Sequence, residues 1–584
     1  MMRRAGLVLA AMALGFSSTA SAQMAPKAAP IAAEKMAKPS TMARPAASAA
    51  RPKLVVMIVV DQMRADYIEK FRGQWTSGLK RLVEQSAWFR EAAYPYAATE
   101  TCVGHATIST GALPAISGMV ANAWWDRESQ KMTNCTADPK AKNSGYAGAA
   151  PKGGDSVWQL RVPAFADELR FQGGAATRVV TFSLKARASI MLGGHKADAA
   201  TWFEGDGWVT SNVYGTLPFI EAYAKAHPVK ADYGKTWALS LPRSAYLYEE
   251  KALGASAPSG WDLTFPHPLR GKSGGSEADE SFYGQWATSP FADSYLTQLA
   301  ETAIDQLGLG KGGGTDYLGV SYSSTDYVGH AFGPQSWEVQ DMYVRLDKDL
   351  GELLKHLDEK VGAGNYVLAL SADHGVVPTP ESMAQTGVDA GDLHIPDVQQ
   401  KIEDALKSFG YTSPAVARIA SADVYFAPGI YDKLKMEPTA LSAVLAAIRG
   451  VPGVADVYRA EQLTDRPATN SPIRNAEANS FFPARSGDLV IVPKPYWLGV
   501  SSPAGKARDY GTGHGTPYYY DQRVPILLMG WGIQKGEYFG AVTPADIAPT
   551  LAALCGITLS THDGRVLSEA LEKNPPVAKP ATAH

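Results

Sequence analysis

The sequence predicts an α/β fold, a mostly parallel central sheet flanked by helices, and three observations carry that expectation. "KLVVMIVVD" (Lys53 to Asp61) is an unbroken β-branched apolar run, the pattern of a strand buried on both faces. The pattern returns at Thr177 to Arg187, Asp316 to Asp326, Asn365 to Gly375, Asp488 to Lys494 and Arg523 to Gly530, with helical periods between several of these runs. Four of the runs end on ionisable side chains: Asp61, Lys185 with Arg187, Asp326, and Asp373 with His374. Ligands of open parallel sheets gather outside the carboxyl ends of the strands, so such a topology would bring these distant residues into one crevice.

In chain order, the first segment has Arg3 and Arg4, an apolar run from Ala5 to Phe16, and the small residues Ala20-Ser21-Ala22. That is the layout of a secretory signal cut before Gln23. The run is shorter than the roughly 20 residues that span a bilayer, and no later run is long enough. Residues 23–52, rich in Ala, Pro, Lys and Met, read as a flexible tether. A catalytic body is expected over 53–570, with a flexible tail at 571–584. Helices are expected at Ser77 to Phe89, Ser336 to Lys360 and Pro544 to Gly556. Segments 123–156, 200–287 and 376–487, rich in Trp, Tyr, Gly and Pro, are expected to be inserted rim and lobe segments in which substrate preference resides.

Composition bounds the function. With 584 residues, 45% of them hydrophobic, the chain can bury a large core. Its 55 basic and 58 acidic residues leave a net charge of -3, and the absence of a long basic stripe argues against a nucleic-acid partner. Of three cysteines, Cys555 is expected on a core-facing helix, and Cys102 with Cys135 either form one disulfide or remain free.

The chemistry concentrates in a few stretches. In "TETCVGHATISTG" (Thr99 to Gly111) the Thr101 hydroxyl can act as a nucleophile only with a base or a metal to activate it. Asp326 and His330 stand four apart in "TDYVGHAFG", Asp373 and His374 are adjacent, and His514 lies among glycines in "GTGHGTP". Carboxylate oxygen and imidazole nitrogen are the donors of catalytic zinc sites, and this supply would serve two ions. The other eight of the eleven histidines are expected to be structural. Trp124, Trp125, Trp202 and Trp208 are expected to pack in the interior rather than stack on an aryl or nucleoside group.

Taken together and in this order, "VVDQ", "ATETCVGHATISTG", "SLKARASIMLGG", "STDYVGHAFG", "SADHG" and "GTGHGTP" resemble the PafA-type (PhoK-like) branch of the alkaline phosphatase superfamily, exported zinc-dependent phosphate monoesterases. The resemblance runs from about Lys53 to about Arg565. It implies an alkaline phosphatase-like fold and two zinc ions per chain. One would be held by Asp61, Asp373 and His374 and would touch Thr101, and the second by Asp326, His330 and His514. Thr101 would be the nucleophile, forming a phosphothreonine. Asn122, Lys185 and Arg187 would bind the phosphoryl oxygens, with Lys185 and Arg187 on one face of an extended segment. Glu100 and His105 are expected to support the site from behind or to cap the helix. Small phosphate monoesters as substrates follow from the same resemblance, a periplasmic or secreted location in a Gram-negative bacterium follows from the signal pattern together with it, and a monomer is expected rather than an oligomer.

Three alternatives compete. A nucleotide pyrophosphatase or phosphodiesterase would share the ligand set and the threonine, but the Lys-x-Arg pair is not expected there. An arylsulfatase would need a Cys or Ser followed by proline and arginine, which "TCVGH" lacks. A catalytically silent binding protein would have little reason to keep every ligand together with the nucleophile.

Overall fold

The computed structural model describes residues 51–573, apart from 175, 273, 276, 413, 467 and 507. The expected secretory signal, nearly all of the expected tether and the tail beyond Lys573 lie outside the described residues. At the centre is a ten-stranded sheet. Numbered along the chain, its strands are β1 (Leu54–Val60), β2 (Ala87–Ala92), β3 (Asn143–Gly145), β4 (Val179–Ser183), β5 (Ala199–Glu204), β6 (Gly207–Ser211), β7 (Asp316–Tyr322), β8 (Tyr366–Ser371), β9 (Ile526–Gly530) and β10 (Gly536–Val542). Their order across the sheet is β10-β2-β9-β8-β1-β7-β4-β5-β6-β3.

The middle of the sheet, β8-β1-β7-β4-β5, is parallel throughout. Every residue of β1 is buried, which explains why its sequence shows no alternation. Its side chains still divide by parity. Leu54, Val56, Ile58 and Val60 enter one core with helices Pro290–Leu307 and Trp337–Leu357, whereas Val55, Met57 and Val59 enter the other with α1 (Thr101–Thr110), α2 (Ala186–Gly193) and Ile547–Cys555. The result is three layers, with every central strand aiming its carboxyl end at the same edge.

The structure differs from the sequence reading in several places. The stretch Ser77 to Phe89 is not one helix. The helix covers Gly78–Gln85 and stops at Ser86, and β2 follows, because Ala87, Trp88 and Phe89 pair with both β9 and β10. The Arg523 to Gly530 run supplies β9, which is antiparallel to both its neighbours. The Asp488 to Lys494 run lies outside the central sheet. Leu489–Pro493 joins Val416–Ala420, Asp423–Phe426 and Val454–Arg459 in a separate antiparallel sheet of four strands. An apolar run reports burial but not which sheet does the burying. That sheet packs with helices Ile395–Lys407 and Pro438–Arg449 around its own core, making a lobe from the 376–487 segment. The 200–287 segment is more than rim, since β5 and β6 extend the central sheet into it. At the far end, Leu571 and Glu572 still pair with Ile533 and Gly532, so the ordered body runs past residue 570. Among the described residues no helix is long and apolar enough to cross a membrane.

Candidate functional site

The four central strands β1, β8, β7 and β4 deliver Asp61, Asp373 with His374, Asp326 and Lys185 to one pocket at the carboxyl edge of the sheet. Asp61 directly follows β1, and its backbone N–H bonds Tyr322 O at the end of β7. Asp326 lies in the first turn of the helix Ser324–Phe332, which carries His330 one turn later. The Lys185 ammonium sits between two carboxylates, 2.5 Å from Asp61 Oδ2 and 2.6 Å from Asp326 Oδ2.

The three histidines converge by the same device. Nδ1 of His330 lies 2.7 Å from Thr512 O, Nδ1 of His514 2.7 Å from Thr99 O, and Nδ1 of His374 2.8 Å from Gly375 O. A carbonyl oxygen only accepts, so each Nδ1 carries the hydrogen, and the neutral ring is left with an Nε2 lone pair. Those three Nε2 atoms face the carboxylates. His374 Nε2 is 3.5 Å from Asp61 Oδ1, and His330 Nε2 and His514 Nε2 are 3.2 and 3.8 Å from Asp326 Oδ1. The His374 and His514 rings stack with centroids 3.5 Å apart.

Burial, reinforced by the Asp373 charge, pushes Asp61 well above the usual carboxylate range. Burial acts the same way on Asp326 and Asp373, but attraction to neighbouring groups outweighs it, His330 and Lys185 for Asp326, His374 and His105 for Asp373, and holds both below that range. Burial lowers His374, and burial together with His374 and His330 lowers His514 still further. The shifts of His374, His514, Asp326 and Asp373 favour the neutral imidazoles and anionic carboxylates that a metal requires, whereas Asp61 and His330, the latter raised by the Asp326 charge against its burial, shift the other way.

The donor set fits divalent ions on its own geometry. Asp61 Oδ1 and Asp373 Oδ2 are fully buried without a hydrogen-bond partner, a costly arrangement unless a cation sits there. Asp61, Asp373 and His374 offer ligand atoms within 4.8 Å of one another, as do Asp326, His374 and His514. His330 completes the second neighbourhood through Asp326.

Thr101 opens α1, with Glu100 at the N-cap position in extended conformation. The Thr101 side chain is buried, and Oγ1 is 3.5 Å from His374 Nε2. α1 comes this close to the end of β8 because Gly104 faces it, where a Cβ would lie only 2.0 Å from Asp373 O. Asn122 accepts from the Cys102 N–H through Oδ1 at 2.8 Å, which fixes its amide and leaves the Nδ2 hydrogens for the pocket. Its backbone is pinned twice, with its N–H donating to Glu100 Oε2 at 2.6 Å and its carbonyl accepting from Cys135 N at 2.9 Å. Cys102 and Cys135 form a disulfide, while Cys555 is buried and free. Glu100 therefore supports Asn122 rather than capping α1, and its other oxygen accepts from the Ser421 hydroxyl of the lobe at 2.9 Å.

Lys185 and Arg187 do not share an extended segment. Lys185 is the extended residue before α2 and Arg187 already lies in its first turn. Arg187 acts electrostatically on Lys185 and Glu100, and its Nε is buried without a partner. His105 is fully buried, with Nδ1 2.8 Å from Thr101 O and Nε2 2.8 Å from Ser321 Oγ, so it steadies the first turn of α1. Trp124, Trp202 and Trp208 are buried and Trp125 is half-buried.

Sequence reasoning missed Gln62. Its backbone is left-handed (φ 66°), its N–H donates to Asp373 Oδ1 at 3.1 Å, and Nε2 donates to Asp326 Oδ1 at 2.6 Å. Only its place beside Asp61 in "VVDQ" could have marked it.

Residues 55–518 match the family described as type I phosphodiesterase / nucleotide pyrophosphatase. The chain is 31% identical to alkaline phosphatase PhoV of Synechococcus elongatus over 97% of its own length and 99% of that protein's. It is 32% identical to alkaline phosphatase PafA of Elizabethkingia meningoseptica, covering 87% and 92% of the two chains. The crystal structure of wild-type alkaline phosphatase PafA superposes with a TM-score of 0.80 at 30% identity, covering 90% of this chain and all of that one. The protein thus belongs to the type I phosphodiesterase / nucleotide pyrophosphatase family and is a phosphate-ester hydrolase of the PafA-type alkaline phosphatase group.

Proposed function

We propose that the protein hydrolyses phosphate monoesters through a covalent phosphothreonine at Thr101. The observation that carries this reading is the placement of Thr101 Oγ1 beside two groups of buried, hydrogen-poor carboxylate and imidazole donors, with the unpartnered Arg187 Nε and the free Nδ2 of Asn122 nearby. Asp61, Asp373 and His374 would hold one zinc ion and Asp326, His330 and His514 the other. When bound, two such ions supply Lewis acidity to the entering and departing oxygens of an in-line displacement.

The side chains do the rest. Thr101 Oγ1 gives up its proton and attacks phosphorus, the bond to the alcohol oxygen breaks, and the alcohol departs protonated. Water then attacks phosphorus from the opposite side, releasing inorganic phosphate and restoring the Thr101 hydroxyl. Lys185, Arg187 and Asn122 donate to the non-bridging oxygens, whose charge is the main thing a phosphoryl-transfer site has to stabilise. A monoester carries one more negative charge than a diester, so these donors favour monoesters. The N-terminal signal pattern and the Cys102–Cys135 disulfide support export to an oxidising compartment, periplasmic or external.

The test compares kcat/KM for an aryl phosphate with that for the matching methyl aryl diester on zinc-loaded protein, with bound metal counted. Strong monoester preference with two ions per chain is expected. Lys185→Ala and Arg187→Ala should each narrow that preference, losing about 100-fold or more on the monoester. Diester preference in the native protein, or equal losses on both substrates, would move it to the phosphodiesterase branch.

A further inference from the structure

We propose that the cavity between the Asp326 group and the lobe is the leaving-group subsite and selects hydrocarbon-rich alcohols; this rests on the phosphatase reading above. In an in-line displacement the alcohol leaves opposite the nucleophile, on the side of His330 and His514. A cavity of 650 Å³ opens there, with His330, His514 and Asn122 in its wall, whereas Thr101, Asp61 and Asp373 take no part in it. A departing alcohol held at that end of the site has its substituent pointing into this space.

The facing walls are apolar and come mainly from the lobe side. Leu393, Ile419, Leu498 and Val500 are buried, and Ile395 and Trp497 are half-buried. The parallel pairing of Gly391–His394 with Trp497–Val500 fixes several of these side chains in one register, so the wall is formed before substrate arrives. The same cavity is lined by Met132, 40% exposed in the strand Lys131–Asn134, where it pairs with Trp125. Such a surface offers an alkyl chain or ring apolar burial, while Arg418, Ser421, Ser501, Tyr510 and Thr516 make up a polar part of the same lining. The size matches sites that enclose small organic ligands.

The experiment measures kcat/KM for a series of n-alkyl phosphates from ethyl to octyl, kept below micelle-forming concentrations, on the zinc-loaded protein. Leaving-group basicity is nearly constant along this series, so a trend reports burial and not intrinsic reactivity. The expected result is a rise of about two- to four-fold per methylene until the cavity is filled. Trp497→Ala and, independently, Met132→Thr should lower the octyl-to-ethyl ratio. A flat series, with ethyl phosphate turned over normally, overturns the subsite and leaves the phosphatase reading standing. An unchanged ratio in both variants also overturns it. Failure to turn over any phosphate monoester removes both.

Discussion

Asp61, Asp326, Asp373, His374 and Lys185 stand at or just beyond the ends of central strands, whereas Asn122 lies off the central sheet, between the helix Pro114–Ser117 and the strand Ala123–Asp126. The first set is held by β1, β7, β8 and β4, strands buried on both faces and paired along their lengths. Asn122 is held by tethers: a disulfide, the two oxygens of Glu100 and one lobe hydroxyl. A sheet edge fixes positions through many backbone bonds at once, so any one contact matters little to its geometry. A tethered loop depends on a few bonds, and each should carry a measurable share of function.

Three substitutions test that contrast in descending order of effect. Thr101→Ala removes the proposed attacking oxygen at the start of α1, beside the strand-end set. It should abolish the acid-stable phosphoenzyme and lower kcat by about 10³-fold or more while zinc content stays at the native level. Normal phosphoenzyme in this variant would remove Thr101 from its role. Glu100→Ala cuts the tether of Asn122 and should lower kcat/KM about 10- to 100-fold, with Glu100→Gln restoring most of it because a carboxamide can still accept from the Asn122 N–H. If Gln is as damaging as Ala, the charge of Glu100 matters and the positioning account fails. Ser421→Ala removes one hydrogen bond between lobe and body and should cost about five-fold or less. A loss as large as that of Glu100→Ala would mean that the lobe, and not Glu100 itself, sets the position of Asn122.

The same division separates what the sequence discloses from what it hides. β1, β4, β7 and β8 are legible because a strand buried on both faces leaves a continuous apolar run, and the ionisable residue ending each run marks the pocket. β9 shows the limit: its apolar run is as plain as that of β1, yet it runs antiparallel, because direction depends on connections rather than on composition. The Leu489–Pro493 strand shows it again, with the same pattern spent on a different sheet. Among the side chains, the candidate ionisable ligands are visible by type and spacing, and they lie close together in the structure. Gly104 and Gln62 are not visible. Gly104 matters for the side chain it lacks, at a close approach between residues 269 positions apart. Gln62 matters for two hydrogen bonds to residues far away in the chain. Lys185 and Arg187 were legible as a pair, but their shared extended face was not, since α2 begins between them.

Gln62 also makes the two candidate metal groups answerable to each other. Its N–H holds Asp373 and its carboxamide holds Asp326, so a shift of either carboxylate onto an ion is felt through one short, left-handed residue. Thermodynamic linkage then requires reciprocity: whatever filling the first group does to the affinity of the second, filling the second returns to the first in equal measure. With both carboxylates oriented by the same residue, filling either group is expected to favour filling the other, so that the native chain loads in a single step. In Gln62→Gly, which keeps the backbone conformation and loses the carboxamide, a calorimetric zinc titration should separate into two steps. Unchanged, single-step loading in that variant would show that the groups communicate by another route.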